Sequence, residues 1–343
     1  MLLAFLEIVS SSLKAIPLDT YNKNHHGMIF YMNDPNKPYY DKPSFFSNMD
    51  NFLGKDKDVK ESLPIRDPKP DFQRRDVNRV YWIGHATCLI QFKNTFIITD
   101  PVFSEWASPI PNIVKRLTPV PCEIEDLPPI SVVLISHNHY DHLDFASLRR
   151  IYKVNPDVKI FAPLGVSTLI RFMGYKNVVE FDWRQHLVYN DIDFICFPAR
   201  HGSSRIGIDF NMNLWCSWMI RDISQKIDVY FPGDTAVGPH FEEIKNTLDK
   251  QVDLVMMPIG PIEPYSFMRN IHLDPKDAYE MNLKLDARKA FPIHYGTFAL
   301  GVKSQKPILD MLKNDWKDNN MDILVPGDFV EWNGNEFKPI ERN

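Results

Sequence analysis

Two textures divide the chain. Residues 21 to 75 are rich in Tyr, Phe, Pro, Asn and Asp without sustained periodicity, which predicts an extended segment wrapped on a domain and not a second core. From Arg79 onward, apolar runs of strand length take over. "RVYWI", "CLIQF" and "TFIITD" read as consecutive strands, with Lys93 and Asn94 at hairpin spacing between the second and third. The Pro-studded stretch that follows, "SPIPNIVKRLTPVPCEIEDLPPI", is too long and too apolar for a mere connector. Beyond it, strand-type runs ("VVLIS", "VKIFAPL", "FICFP", "WCSWMI", "DVYFPG", "DLVMMPI", "KAFPI") alternate with helix-type runs, including a helix opening at Asp144 and one from about Val166 to Gly174. Hairpins mixed with strand–helix alternation predict α/β or α+β layering, with helices covering two packed sheets. The expected organisation is an N-terminal helix and wrapper over residues 1–75 and one folded domain over 76–343.

The N-terminal "LLAFLEIV" places Leu2, Phe5, Leu6 and Val9 on one helix face. It carries Glu7, lacks a basic leading region and is too short to span a bilayer. Docking on the domain is expected, with a helix lying on a membrane as the alternative.

Composition narrows the class. With 343 residues and 44% hydrophobic content the chain can bury a sizeable core. A formal net charge of −5 with no long basic run argues against a nucleic-acid partner. Cys88, Cys122, Cys196 and Cys216 are far apart, and three of them sit in apolar or aromatic runs; reduced core thiols and an intracellular compartment are expected.

The eleven histidines are not scattered. His137 follows "VVLIS", His201 closely follows "FICFP", Asp234 follows "DVYFPG" and His294 follows "KAFPI", so each stands at or just past the C-terminal end of an expected strand. Such ends gather along one sheet edge, where open α/β folds place their sites. In "SHNHYDHLD", His137 and His139 are spaced so that both imidazoles reach one ion, while Asp141 and His142 can turn toward a second as the chain bends into the helix capped by Asp144. Zinc accepts such nitrogen and oxygen donors at about 2.0–2.2 Å, and a pair of ions needs a bridging carboxylate, for which Asp234 is suited. Asp100 in "TDP" is placed to accept the second N–H of a ligating imidazole, or is a turn residue before Pro101. His85 in "GHAT" is either another such partner or structural.

The stretches "YWIGHATCLIQF", "TDPVFSEWASP", "LPPISVVLISHNHYDHLD", "FPARH", "YFPGDTAV", "HLDPKDA" and "HYGTFAL" run in this order over about residues 79 to 300. The His-rich stretch resembles the signature of the metallo-β-lactamase superfamily. The whole series is similar to one branch, the N-acyl phosphatidylethanolamine-hydrolysing phospholipase D family, and "HYGTFAL" with the "ASP" after "TDPVFS" narrows it to that branch. The resemblance implies a metallo-β-lactamase-like αββα four-layer sandwich over residues 76–343. It also implies one zinc ion held by His137, His139 and His201, a second held by Asp141, His142 and His294, and Asp234 bridging both. Asp141, Asp234 and His272 are the residues it implies for the chemistry. His272 stands two residues before Asp274, an expected N-cap with Pro275 at the first helical position, where an imidazole can help bind phosphate. A surface histidine is the alternative. Ile271 departs from the polar residue usual just before it in the family, which puts any hydrogen bond from that position in question.

The activity implied is hydrolysis of N-acyl phosphatidylethanolamine to N-acylethanolamine and phosphatidic acid by a hydroxide held between the zincs. The implied partners are the phospholipid, a membrane surface contacted peripherally and, as an option, a second copy of the chain. Phe103, Trp106, Ile110, Ile113, Val114 and Leu117, beside Lys115 and Arg116, could rest in that surface or cover the core. Two rival readings stand beside this one: hydrolysis of a soluble phosphodiester or lactone on the same site, and a metal- or lipid-binding protein without turnover.

Overall fold

A computed structural model describes residues 13–18, 25–26, 29–30, 62–67, 69–300, 306–316, 320–333 and 336–338. The apolar face expected over Leu2 to Val9 lies outside these residues. Among those described, two large sheets carry the fold. One has the strand order Glu336–Phe337, Phe329–Asn333, Asn78–Gly84, Thr87–Phe92, Thr95–Thr99, Val132–Leu134, Lys159–Pro163, Val178–Phe181. The other runs Ile16–Pro17, Gln185–Tyr189, Ile192–Phe197, Ser217–Asp222, Ile227–Phe231, Leu254–Pro258, Lys289–Ile293.

Strand parity explains the layering. In Asn78–Gly84, Val80 and Trp82 join the core between the sheets, whereas Tyr81 and Ile83 point the other way into a second cluster. Side chains alternate across a strand, so a strand apolar at every position must be covered on both faces. The outer cluster is closed by the helices Phe145–Val154 and Val166–Phe172 through Leu148, Ile151, Val166 and Ile170. On the second sheet, His240–Thr247 and Pro275–Leu285 contribute Phe241, Ile244, Ala278, Met281 and Leu285. The result is the helix–sheet–sheet–helix stack that the resemblance implies.

The register sets up the site. Thr95–Thr99 runs parallel to Val132–Leu134, with Thr99 opposite Leu134. Leu254–Pro258 runs parallel to Lys289–Ile293, with Pro258 opposite Ile293. Asp100, His137 and His294 therefore leave their sheets at the same end. Of the described N-terminal pieces, Ile16–Pro17 joins the second sheet by pairing with Gln185–Tyr189, and the Phe30 N–H donates to the carbonyl of Asn211 in the loop after His201. No helix among the described residues is long and apolar enough to cross a membrane.

The loop after Asp100 is divided between core and surface. Phe103 is buried, Trp106, Ile113, Val114 and Leu117 are partly buried, and Ile110 is 57% exposed.

Candidate metal centre and active site

Where the strands end, the seven residues expected to bind metal converge in two groups. His137, His139 and His201 turn ring nitrogens toward one point, with His137 Nε2 2.8 Å and His201 Nε2 3.2 Å from His139 Nδ1. Asp141, His142 and His294 form the second group, where the two Nε2 atoms are 3.1 Å apart and Asp141 Oδ2 is 3.6 Å from each. Asp234 touches both: its Oδ2 is 3.6 Å from His201 Nε2 and 3.2 Å from His142 Nε2, and its Oδ1 is 2.9 Å from His294 Nε2. All seven are buried or nearly so.

The surrounding hydrogen bonds decide which nitrogen faces inward. His142 donates its Nδ1–H to Asp100 at 2.6 Å, His201 to the Ile271 carbonyl at 2.9 Å and His294 to the Gly260 carbonyl at 2.9 Å. His137 Nδ1 lies 2.9 Å from the Ser136 hydroxyl, which itself donates to Asp100. With the Nδ1 side of each ring held in these bonds, each ring in its neutral, metal-binding form points an Nε2 lone pair into the centre. Lone pairs facing each other and a carboxylate at about 3 Å repel unless a cation lies among them. Asp234 Oδ1 shows the same: it is buried without a hydrogen-bond donor although His294 Nε2 is 2.9 Å away. This donor set fits metal ions.

Electrostatics agree. Burial pushes His137, His139 and His201 below the ordinary imidazole value, helped by neighbouring rings, so they are neutral and ready to ligate. Burial also opposes charge on His294, but Asp234 and Asp141 outweigh it and push that group up to about 9. Protons and metal ions compete for the same lone pairs, and the carboxylates of Asp234 and Asp141 that favour the proton on His294 favour a cation there for the same reason.

Asp100 is fully buried and accepts from the Ser136 N–H at 2.7 Å, from its hydroxyl and from His142, which is the supporting role weighed against a turn residue. His85 places Nε2 3.0 Å from Asp141 Oδ2, lies tilted by 35° against His294 with ring centres 3.9 Å apart, and accepts the His294 backbone N–H through its carbonyl at 3.0 Å. It lies close enough to the second group to count among its candidate ligands.

His272 is buried and not on the surface; its Nδ1 has no hydrogen-bond partner and lies 3.8 Å from Asp234 Oδ2. Asp274 caps the next helix by accepting the Asp277 N–H at 2.7 Å, with Pro275 in the first turn. The question at Ile271 resolves through the backbone, since its carbonyl holds His201 while its side chain lines the cavity.

One residue escaped the sequence reading. Arg205 donates through one nitrogen to the carbonyls of Asn138 at 2.7 Å and Leu143 at 2.9 Å, and its guanidinium lies over the rings of Tyr140 and Phe145. It clamps both ends of the ligand loop to the segment after His201. The sequence offered no signal beyond its place in that segment.

A cavity of about 210 Å³ opens over the centre. His139, Asp141, His201, Asp234, His272 and His294 form its base, and its walls are largely apolar, with Val114, Phe267, Ile271 and Leu300 among them.

Comparison with known proteins agrees with this geometry. A Beta-lactamase superfamily domain matches residues 95–295. A metallo hydrolase from the archaeon Ignicoccus hospitalis superposes with a TM-score of 0.56 at 17% identity, over 75% of this chain and 99% of that one. Fold and donor set thus define a metal-dependent hydrolase of the metallo-β-lactamase type. The chain is also 34% identical to N-acyl-phosphatidylethanolamine-hydrolyzing phospholipase D 1 of Caenorhabditis elegans, covering 81% of this chain and 83% of that protein. The mitochondrial N-acyl-phosphatidylethanolamine-hydrolyzing phospholipase D of Saccharomyces cerevisiae is 32% identical over 64% of this chain and 47% of its own length. The chain belongs to the N-acyl-phosphatidylethanolamine-hydrolysing phospholipase D family.

Proposed function

We propose that this protein is a zinc-dependent phosphodiesterase of the phospholipase D type, cleaving N-acyl phosphatidylethanolamine to N-acylethanolamine and phosphatidic acid. The observation that carries the reading is the apolar-walled cavity standing directly on the His/Asp centre, because it offers an acyl-bearing molecule and a charged phosphodiester adjoining environments. The mixed imidazole and carboxylate donors suit zinc. Two zinc ions held there, one by His137, His139 and His201 and the other by Asp141, His142 and His294, with Asp234 shared, would supply a hydroxide nucleophile and offset charge on the phosphoryl oxygens.

The chain's own residues do the rest. Asp100, Ser136 and the carbonyls of Gly260 and Ile271 hold the imidazoles in one tautomer. His272, kept neutral by burial, lies in the base of the cavity and would donate to a phosphoryl oxygen. The apolar walls exclude water around the reacting phosphorus. Its bond to the ethanolamine oxygen breaks as the bond to the attacking oxygen forms, and the departing oxygen takes up a proton. An intracellular, peripherally membrane-associated protein acting alone or as a homodimer completes the proposal.

The test is incubation of the purified protein with vesicles containing N-acyl phosphatidylethanolamine, with products identified by mass spectrometry. N-acylethanolamine and phosphatidic acid, lost on chelation and restored by zinc, are expected, with close to two zinc equivalents by elemental analysis. Full activity at one equivalent would remove the dinuclear centre, and turnover confined to soluble esters would remove the lipid substrate.

A further inference from the structure

His201 and Asp234 stand side by side at the centre, yet the strands that lead to them are not neighbours. Ile192–Phe197 and Ile227–Phe231 are separated in their sheet by Ser217–Asp222, so ladder hydrogen bonds do not set one ligand segment directly against the other. Beyond the strand ends the two segments are laced together. The Ala236 N–H donates to the Arg200 carbonyl at 3.0 Å, the Arg200 guanidinium to the Val237 carbonyl at 2.6 Å, and the Arg200 N–H to the Thr235 hydroxyl at 3.0 Å. Thr235 is the joint: its backbone follows Asp234, and its hydroxyl holds the residue before His201.

Behind this joint sits an imidazole. His240, the first residue of His240–Thr247, is 2% exposed and places Nε2 3.0 Å from the Thr235 hydroxyl, while its Nδ1 is buried without a partner. Burial, with Arg200 nearby, holds the ring down to about 3, so it is neutral, and in either tautomer Nε2 keeps one hydrogen bond with the hydroxyl. A buried polar atom without a partner costs about 1–3 kcal/mol, which an apolar side chain in the same space would not incur. The fold nonetheless makes room for the ring, since a Cβ on Gly238 would lie 2.6 Å from Nδ1. An imidazole retained at that cost and turned to a single hydroxyl points to a task at the hydroxyl.

We propose that Thr235 and His240 are positioning residues that set Asp234 against His201 and so hold one half of the metal centre from the helix layer. The proposal rests on the reading that the centre holds zinc, and not on the substrate assigned to it. Among the described residues, neither side chain lines the cavity or belongs to a metal-binding group, so both act only through Asp234 and His201. Outer partners of this kind fix the direction from which a ligand meets its ion, and losing one typically lowers metal affinity about 10–100-fold.

The experiment titrates the intact, zinc-loaded protein with a chromogenic chelator, beside melting temperature and steady-state hydrolysis of N-acyl phosphatidylethanolamine. Thr235→Val keeps the shape and removes the hydroxyl. It should release zinc at a chelator concentration about tenfold lower than wild type and lower kcat about tenfold, with KM unchanged because the cavity walls are untouched. His240→Ala should behave alike, and His240→Gln, whose amide can take the place of Nε2, should recover most of the loss. In T235V/H240A the loss should be no larger than in Thr235→Val alone, since both residues act through one hydroxyl. If His240→Ala misfolds, Thr235→Val compared with His240→Gln carries the test. Zinc held as tightly as in wild type by either Thr235→Val or His240→Ala, whatever the melting temperature, would overturn the proposal by showing that these residues only pack. Losses that add in the double variant would overturn it too. Zinc release that follows the expected order while wild-type protein leaves N-acyl phosphatidylethanolamine uncleaved would keep the joint and remove the proposed substrate; wild-type protein that binds no zinc would remove both.

Discussion

His272 and Asp234 lie 3.8 Å apart yet should fail differently when replaced. Asp234→Asn keeps the size but removes the charge shared by both ligand groups; loss of most activity and of at least one metal equivalent is expected, with the circular dichroism spectrum retained. Wild-type turnover would show that Asp234 does not bridge. In His272→Ala the metal content should be unchanged while turnover falls about 10²-fold, the scale for one lost transition-state donor. Zinc lost together with activity would make His272 a ligand. The thiols give an independent check on packing. All four cysteines are free and buried, and burial, with Asp126 and Glu123 nearby, pushes Cys122 up to about 12. A thiol reagent at pH 8 should label none of them in the folded protein and all four after denaturation; fast labelling of the folded protein would show that the core around Cys122 opens readily.

Elements distant in sequence are tied by a few buried polar contacts. Arg79, on Asn78–Gly84, stands directly opposite Glu331 on Phe329–Asn333, and its guanidinium lies 2.6 Å from that carboxylate and 4.2 Å from the Phe329 ring centre. Burial pushes Glu331 up, but Lys338 and Arg79 outweigh it and hold the carboxyl below its ordinary value. Arg79→Met should cost about 3 kcal/mol in urea unfolding, because it removes one partner of a buried pair. A depressed carboxylate stabilises above its unfolded value near 4.5 and stops doing so as the pH falls through the folded value, so the deficit should shrink in more acid buffer. A deficit under about 1 kcal/mol would mean that Lys338 alone satisfies Glu331. The same strand marks a limit of reading elements from pattern. "RVYWI", "CLIQF" and "KAFPI" were legible because they are apolar but for Arg79, Gln91 and Lys289, being covered on both faces. Gln185–Tyr189 and Phe329–Asn333 mix polar with apolar positions near the sheet edges, and their place in the sheets comes from pairing and not from composition.

At the scale of the whole molecule, the centre joins both sheets: Asp100 and His137 come from one, and His201, Asp234 and His294 from the other. Metal bound only by the folded state should therefore stabilise the entire domain. Chelation is expected to lower the melting temperature by about 5 °C or more, with recovery on adding zinc; an unchanged value would mean that the sheets hold together independently of the site. The sequence by itself determined the layered class and the candidate ligands, because strands buried on both faces leave uninterrupted apolar runs and metal donors must stand just past their ends. The helix caps at Asp144 and Asp274 were legible for a similar reason, since a cap acts within a few residues of itself. Only the tertiary structure brought His201, Asp234 and His294 together with the donors of "SHNHYDHLD", and decided that His85 reaches Asp141, that Arg205 clamps the ligand loop, and that Ile206 and Ile208 face outward beside the cavity mouth. These facts depend on distances between segments far apart in the chain, and such distances are set by how two sheets pack, for which no local pattern carries a signal.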